Sequence, residues 1–126
     1  MGDALYHALV LNLHQPHSNL EHLLGHNEWE AKEILFAMDR IPRALEHYQA
    51  GRVHLSLSGT LMETLTNSEF QSRAYGIVDC GSLLWRLQNS ETIDLLGTAY
   101  YHPVMPLIPP ADWSAHLERW RAMARR

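Results

Sequence analysis

YHALVLNLHQPH, residues 6–17, is the stretch that decides the fold. Its first eight residues are an apolar run interrupted only by His7 and Asn12, which is typical of a strand buried on both faces in a parallel sheet. Directly after this run the chain places two histidines, a glutamine and a proline. The stretch therefore predicts either an ordinary loop or a polar site at the end of a buried strand.

The spacing of the apolar residues changes after this stretch. Residues 14–27 are polar and predict a loop. From Glu28 onward, apolar residues recur at steps of three and four, which predicts an amphipathic helix. We expect Pro42 to kink or split this helix and Gly51 to end it. Its apolar positions are Ile34, Leu35, Met38, Ile41, Leu45 and Tyr48.

The same order of strand and helix then occurs twice more. Residues 53–58 alternate between apolar and polar side chains, and residues 92–97 are a short apolar run, so both are predicted strands. Helical spacing follows the first of these strands at Leu61 and Leu65 and again over residues 70–89. A second strand-helix unit is therefore followed by a third strand.

The last part of the chain is a loop and a helix. The loop contains four prolines, Pro103, Pro106, Pro109 and Pro110. We expect Asp112 or Ser114 to cap the helix that follows. The apolar side of this helix carries Leu117, Trp120 and Met123.

The predicted order is thus strand, helix, strand, helix, strand, helix. Crossover connections of this kind build an α/β fold with parallel strands and helices on the outside. Three strands are too few to close a barrel, which in its common form has about eight. We therefore expect residues 1–126 to be a single domain equivalent to the N-terminal β/α units of an incomplete barrel.

Composition limits the class of protein. The chain has 126 residues and a formal net charge of −4 at pH 7, which gives no reason to expect a nucleic-acid partner. The apolar run near the N-terminus is too short for a membrane span and lacks the basic region of a signal peptide. The single cysteine, Cys80, excludes an intrachain disulfide. We expect a soluble, cytoplasmic protein.

The loops that follow the three strands carry the candidate functional residues. In parallel α/β folds, function gathers at the C-terminal ends of the strands, so we expect these loops to converge on one rim. Imidazole, hydroxyl and amide groups match sugar hydroxyls, and aromatic rings stack on pyranose faces. The predicted sugar-binding residues, including one acidic residue within the third strand, are His14, Gln15, Ser58, Asp94, Tyr100, Tyr101 and His102.

Two other chemistries receive less support from the sequence. His17, His22 and His26 have spacings that occur in metal sites, but no cysteine or aspartate lies nearby to complete such a site. Glycoside hydrolysis commonly needs two carboxylates on either side of the scissile bond. Asp94 and Glu63 are the only candidates near the rim, and neither lies where a nucleophile at a strand end is expected. We expect no metal site and no catalytic pair.

These segments resemble the N-terminal part of glycoside hydrolase family 57 over nearly the whole chain. LNLHQP resembles the first signature region of that family, and WEAKEILFAMDRIPRALEHY and VHLSLSGTLMETL resemble the segments that follow it. TIDLLGTAYYHPVMPLIP resembles the second signature region and its extension. The order of His-Gln-Pro, Ser-Gly-Thr and Tyr-Tyr-His-Pro carries the resemblance.

The resemblance implies a retaining enzyme on α-glucans, an α-amylase-type hydrolase or a 4-α-glucanotransferase, built on an incomplete (β/α)7 barrel. His14 matches the family's substrate-contacting histidine, whereas Asp94 stands where the second region often has a glutamate. The family's nucleophilic glutamate and its acid/base aspartate belong to later regions, beyond Arg126. We therefore expect no catalytic residue within this chain and no cofactor.

Three functional hypotheses follow. The first is an N-terminal segment of a family-57-like enzyme that holds part of an α-glucan or maltooligosaccharide and is inactive alone. The second is a non-catalytic glucan-binding or regulatory module, and the third is a metal-dependent deacetylase-like protein. An incomplete barrel leaves a sheet edge open, so we also expect self-association through that edge.

Overall fold

The computed structural model describes residues 2–48 and 50–126. Three strands, β1 (Leu9–Leu13), β2 (Val53–Leu57) and β3 (Ile93–Leu96), form a parallel sheet in the order β1-β2-β3. Leu9 pairs with Val53, which in turn pairs with Ile93. The predicted α/β class, with parallel strands and outer helices, is confirmed.

Six α-helices accompany the sheet in the described residues, together with two short 3₁₀ turns at Met105–Leu107 and Pro110–Asp112. The helices are α1 (Asn19–His26), α2 (Glu28–His47), α3 (Gly59–Thr66), α4 (Ser68–Ala74), α5 (Cys80–Asn89) and α6 (Trp113–Ala124). None of the helices described within residues 2–48 and 50–126 has the length and apolar character needed to cross a membrane.

The core lies between the central strand and the helices. On β2, Val53, Leu55 and Leu57 are buried, whereas the alternate residues His54 and Ser56 are half-buried. Because successive side chains of a strand point to opposite faces, helices cover one face of the sheet and leave the other open. The open face carries both polar and apolar side chains, namely Val10, Asn12, His54, Ser56, Asp94 and Leu96.

The expectation that the first strand is buried on both faces is wrong. Leu9 is 45% exposed and Val10 is 55% exposed, because β1 is an edge strand with one face uncovered. The strand also begins at Leu9 rather than at residue 6. Its partner β2 begins at Val53, opposite Leu9, so residues 6–8 have no strand residue to pair with.

The predicted loop at residues 14–27 contains a helix, α1. Leu20 of this helix is buried, and Leu24 packs against the core. The spacing of Leu20, Leu23 and Leu24 and the pattern of Ser18 and Glu21 are sequence signals of a helix, and the prediction of a loop missed them. The N-cap Ser18 has a φ of 61° and makes no side-chain capping bond.

The long helix α2 is neither split at Pro42 nor ended by Gly51. It runs through Pro42, which cannot donate a backbone hydrogen bond. Because Pro42 is buried, its packing offsets the loss of that bond. The helix ends at His47, and the cap residue Tyr48 has a φ of −113°, so no left-handed glycine is needed. Gln49, within the predicted span, lies outside the described residues.

The predicted helical stretch at 70–89 is divided into α4 and α5. The division comes from Asp79, whose carboxylate accepts a hydrogen bond from the Ser82 N–H at 3.0 Å and starts a new helix. At the other end of the chain, α6 begins at Trp113, so Asp112 occupies the cap position but makes no capping bond. Ser114 lies inside the helix, and the prediction that it caps α6 is wrong.

Helix α6 is attached to the sheet mainly through Trp120. The indole Nε1 donates to the Leu57 carbonyl at 2.6 Å. A Cβ placed on Gly97 would lie 3.5 Å from the Trp120 ring, so the indole covers the end of β3. Met123 also packs against the core, whereas Leu117, predicted for the same apolar side, is largely exposed.

Gly59 at the start of α3 is required by the close approach of Tyr100. A Cβ at residue 59 would lie 2.1 Å from the Tyr100 ring, far inside van der Waals contact. We predict that Gly59→Ala lowers the free energy of unfolding by about 1–3 kcal/mol, the usual cost of overpacking a core. Urea denaturation followed by circular dichroism measures this change.

Gly76→Ala is the matched control, because a Cβ at residue 76 meets no atom within 4 Å. This variant should lie within about 1 kcal/mol of the wild type. Equal stabilities for the two alanine variants would contradict the proposed role of the contact between Gly59 and Tyr100.

Candidate functional site

Three backbone-anchored contacts hold the loops after the strands together. The Ser58 N–H donates to the Leu13 carbonyl at 3.1 Å, which joins the ends of β2 and β1. Thr60 then reaches both other loops: its N–H donates to the Tyr100 carbonyl at 3.3 Å and its hydroxyl donates to the Gln15 carbonyl at 2.7 Å. The segments after all three strands thus meet at one edge of the sheet.

Two imidazole rings lie against each other at this edge. The rings of His14 and His102 are stacked, with centroids 4.7 Å apart and planes 24° apart. The Asn12 amide donates to Nε2 of His102 at 2.7 Å, since an NH₂ group has no acceptor. This bond leaves the ring proton of a neutral His102 on Nδ1. The contact fixes both the orientation and the tautomer of His102.

The backbone of His102 is itself unusual. Its φ of 56° lies in the left-handed region, which residues other than glycine seldom adopt. Strained backbone of this kind persists only where neighbouring contacts enforce it, and it is concentrated at functional sites. Here the His102 N–H donates to the Ala99 carbonyl at 3.0 Å, which closes a tight turn and directs the imidazole back towards His14.

The surroundings of His14 favour its neutral form. Burial lowers its pKa below the ordinary value of 6.5, and the nearby His102 lowers it further. Its Nδ1 atom is enclosed and has no hydrogen-bond partner within the described part of the chain. A neutral imidazole offers one donor and one acceptor, the combination that binds a hydroxyl group.

Gln15 lies beside His14 and is fixed at both its main chain and its side chain. The Asn19 amide donates to Gln15 Oε1 at 2.8 Å, while the Gln15 carbonyl accepts from Thr60. The NH₂ group of the Gln15 side chain makes no hydrogen bond within the described residues and keeps its donors. We call Asn12, His14, Gln15 and His102 the strand-end cluster.

Ser58 and Tyr100 belong beneath this cluster rather than on it. Ser58 is fully buried, and its hydroxyl accepts from the Leu61 N–H at 3.2 Å as the N-cap of α3. Tyr100 is 2% exposed, and its hydroxyl donates to Glu63 Oε2 at 2.5 Å. Both side chains are therefore used within the protein, and their direct contact with a sugar stays a prediction.

Asp94 lies away from the strand-end cluster. It is the second residue of β3, opposite His54, and therefore about 7–10 Å along the strands from the edge where the loops meet. Its carboxylate lies 3.6 Å from His54 Nδ1 and 3.8 Å from Arg52 Nη1. The strand alternation does place Asp94 on the open face, but its partners are basic side chains.

Tyr101 is turned towards α6 instead of towards His14. It is 48% exposed, and its ring meets that of His116 edge-on at 5.7 Å between centroids. The rings of Tyr100 and Tyr101 remain in edge-on contact at 4.9 Å between centroids, but Tyr100 is buried whereas Tyr101 is half-exposed beside α6.

Asn12 is the contributor to the site that was not predicted. It was visible as the polar interruption of an apolar strand, and the residue directly opposite it in β2, Ser56, is also polar. Thr60 belongs to the Ser-Gly-Thr sequence after β2, which the order of elements places at the same edge. The contact of its hydroxyl with Gln15, 45 residues away, has no local sequence signal.

The described residues do not assemble a metal site. Residues 2–48 and 50–126 contain no group of three His, Cys, Asp or Glu side chains placed to hold a metal ion. His22 and His26 do stack, with centroids 4.2 Å apart on the exposed side of α1. The structure therefore offers no support for the deacetylase-like alternative.

Parallel strands with outer helices define an α/β fold that carries an imidazole-amide cluster at the ends of its strands. The family model for Glycosyl hydrolase family 57 matches residues 8–126, so the chain belongs to that family. Comparisons with curated proteins and with solved structures find no match. The three strand-helix units are consistent with part of this family's barrel.

Membership of this family places the chain among glycoside hydrolases and in carbohydrate metabolism. It also implies that the substrates are carbohydrates. The predicted family is thus confirmed over almost the entire chain.

The lowered pKa of His14 leads to a pH dependence. Because the folded pKa lies below 6.5, the unfolded chain binds more protons in the window between the two values, and the folded state loses stability as pH falls through it. We predict that the His14 ring titrates below 6.5 in histidine NMR spectra. In His102→Gln the midpoint should rise only part of the way, because burial is the larger cause.

His17→Gln is the control variant, since His17 is exposed and follows the same strand. This substitution should leave the midpoint of His14 unchanged. A His14 midpoint at or above 6.5 in the wild-type chain would contradict the burial and stacking described above.

Proposed function

We propose that the chain binds an α-glucan or maltooligosaccharide at the strand-end cluster, as part of the substrate-binding surface of a family-57 enzyme. The observation that carries this proposal is the stacked pair of His14 and His102, held at the edge where three loops meet. Family membership supplies the carbohydrate class. We also propose a cytoplasmic setting. The one cysteine, Cys80, is a buried free thiol, and burial raises its pKa to about 11.

The strand-end cluster suits sugar hydroxyls because its groups are neutral and directional. His14 offers a donor and an acceptor, and Gln15 offers amide donors. The Asn12 amide and the strained turn at His102 fix the second imidazole before any ligand arrives. Preorganised groups lose less conformational entropy on binding, so a small cluster of this kind can discriminate among hydroxyl arrangements.

We further propose that this chain binds glucan without cleaving it. Retaining glycoside hydrolysis needs two carboxyl groups about 5–5.5 Å apart at the scissile bond. The two candidate carboxylates named from the sequence are engaged elsewhere, Glu63 by Tyr100 and Asp94 by His54 and Arg52. The same geometry supports the alternative of a non-catalytic glucan-binding module.

Calorimetric titration with maltoheptaose tests the binding surface. We expect saturable binding by the wild-type chain and about tenfold weaker binding by His14→Ala, because a hydrogen bond from a positioned group is lost. His17→Ala should bind like the wild type, since this residue is exposed and lies outside the cluster. Urea denaturation of each variant separates weaker binding from loss of folding.

Two results would contradict these proposals. Equal affinities for His14→Ala and the wild type would remove the strand-end cluster as the binding surface. Reproducible release of reducing sugar from maltoheptaose by the purified chain would show that a carboxylate pair acts within it.

We also propose that the chain self-associates through β1. Only one side of β1 is paired with a strand in residues 2–48 and 50–126, and its exposed residues Leu9 and Val10 are apolar. A second copy offers the same strand, and a twofold axis brings two such strands together antiparallel as one continuous sheet. An unpaired strand edge with apolar side chains favours pairing of this kind.

Sedimentation velocity tests this association. We expect the wild-type chain to sediment as a dimer or larger species and Val10→Lys to sediment as a monomer, because a charge on an edge strand prevents pairing. Val104→Lys is the matched control, since Val104 is 63% exposed in the loop after β3. A monodisperse wild-type monomer would contradict the proposal.

A further inference from the structure

A pocket lies between α6 and the loop after β3, apart from the strand-end cluster. Its volume is about 220 Å³, and its lining includes Tyr101, Asp112, His116 and Arg119. The three α6-side residues are spaced by four and three positions, so successive turns present them on one side. We call these four residues the α6 pocket.

An aromatic platform and a cation form one side of the α6 pocket. The Arg119 guanidinium carbon lies 4.5 Å from the centre of the Tyr100 ring and 5.1 Å from that of Tyr101. The Tyr101 and His116 rings are nearly perpendicular, at 88°. These stacked contacts hold the guanidinium plane and the half-exposed Tyr101 ring in fixed positions at the mouth of the pocket.

The polar groups of the α6 pocket have bonding capacity left for a ligand. Among the described residues, Arg119 forms no ion pair with a carboxylate. The Nδ1 atom of His116 is enclosed and has no hydrogen-bond partner within residues 2–48 and 50–126. Because that atom has almost no exposed surface, the bonding capacity that faces the pocket is that of the exposed Arg119 guanidinium and the exposed Asp112 carboxylate, which form no ion pair within the described residues.

We propose that the α6 pocket is a second saccharide-binding site, which holds one sugar ring. A guanidinium donates to adjacent hydroxyls, the Asp112 carboxylate accepts from them, and the Tyr101 face packs on the apolar face of the ring. The volume lies below the roughly 300–1,000 Å³ of sites for drug-sized ligands, which fits one ring rather than a chain. The choice of a saccharide rests on the proposed function, whereas the site rests on its own residues.

The α6 pocket is separate from the strand-end cluster although the two lie on neighbouring residues. Tyr101 faces α6, while the left-handed turn at His102 directs the next side chain to His14. One glucan chain or two independent sugars can therefore meet the protein on either side of this turn. A second site of this kind would keep a polymeric substrate near the protein.

Histidine-selective NMR of the full chain with maltotriose tests the proposal, because His14 and His116 report on the two sites separately. We expect the His116 ring signals to shift saturably in the wild type and also in His14→Ala. Arg119→Gln and, independently, Tyr101→Leu should weaken the response of His116 about tenfold. Arg121→Gln, a change at the neighbouring exposed arginine of α6, should leave it unchanged.

The outcomes distinguish this proposal from the proposed function. Shifts at His14 with none at His116 overturn the second site and leave the first intact, while shifts at His116 alone support the second site and count against the first. Loss of the His116 response in His14→Ala means one site and overturns the proposal. A His116 shift with sodium sulfate but none with maltotriose identifies an anion site and also overturns it.

Discussion

Thr60 is the residue on which the candidate site depends. Its N–H binds the loop after β3, its hydroxyl binds the loop after β1, and it stands at the start of the helix that follows β2. The residue is buried, so these hydrogen bonds are shielded from competition with water. Three loops that are far apart in the sequence are thereby held in one arrangement, and the stacked imidazoles follow from it.

Gly59 and Ser58 complete this junction for different physical reasons. Ser58 caps α3 and so defines where the helix begins, directly at the end of β2. Gly59 has no side chain, which allows the Tyr100 ring to lie against the first turn of the helix. The Tyr100 hydroxyl then reaches Glu63 one turn further along. The Ser-Gly-Thr sequence after β2 is thus explained residue by residue: Ser58 caps the helix, Gly59 allows the close approach of Tyr100, and Thr60 links the loops.

The parts of the fold that could be predicted are those with local signals. The alternation in β2 and the apolar run of β3 define strands directly, and the helix spacing after Glu28 defines α2. Helix α1 has such signals in Leu20, Leu23 and Leu24, but it is only eight residues long and rich in polar residues, so it was interpreted as a loop. The exposure of β1 depends on how many strands flank it, which no residue within the strand encodes.

The candidate site likewise contains residues whose position the sequence could predict and residues whose position it could not. His14 and Gln15 follow a strand, so their position at the edge can be inferred from the order of elements alone. The burial of Ser58 and Tyr100 depends on partners tens of residues away, and side chains of the same polar type serve equally well as ligands or as caps. The ion pairs of Asp94 likewise arise from strand register, which places it opposite His54.

Three consecutive residues after β3 serve three different surfaces. Tyr100 enters the core against Gly59, Tyr101 meets His116 on α6, and His102 stacks on His14. An extended strand can send successive side chains to only two faces, so a third direction requires a change in the backbone. The φ of 56° at His102 supplies that change. Strain at one residue therefore separates the two candidate binding surfaces and also fixes their relative position, because a single short turn carries a residue of each.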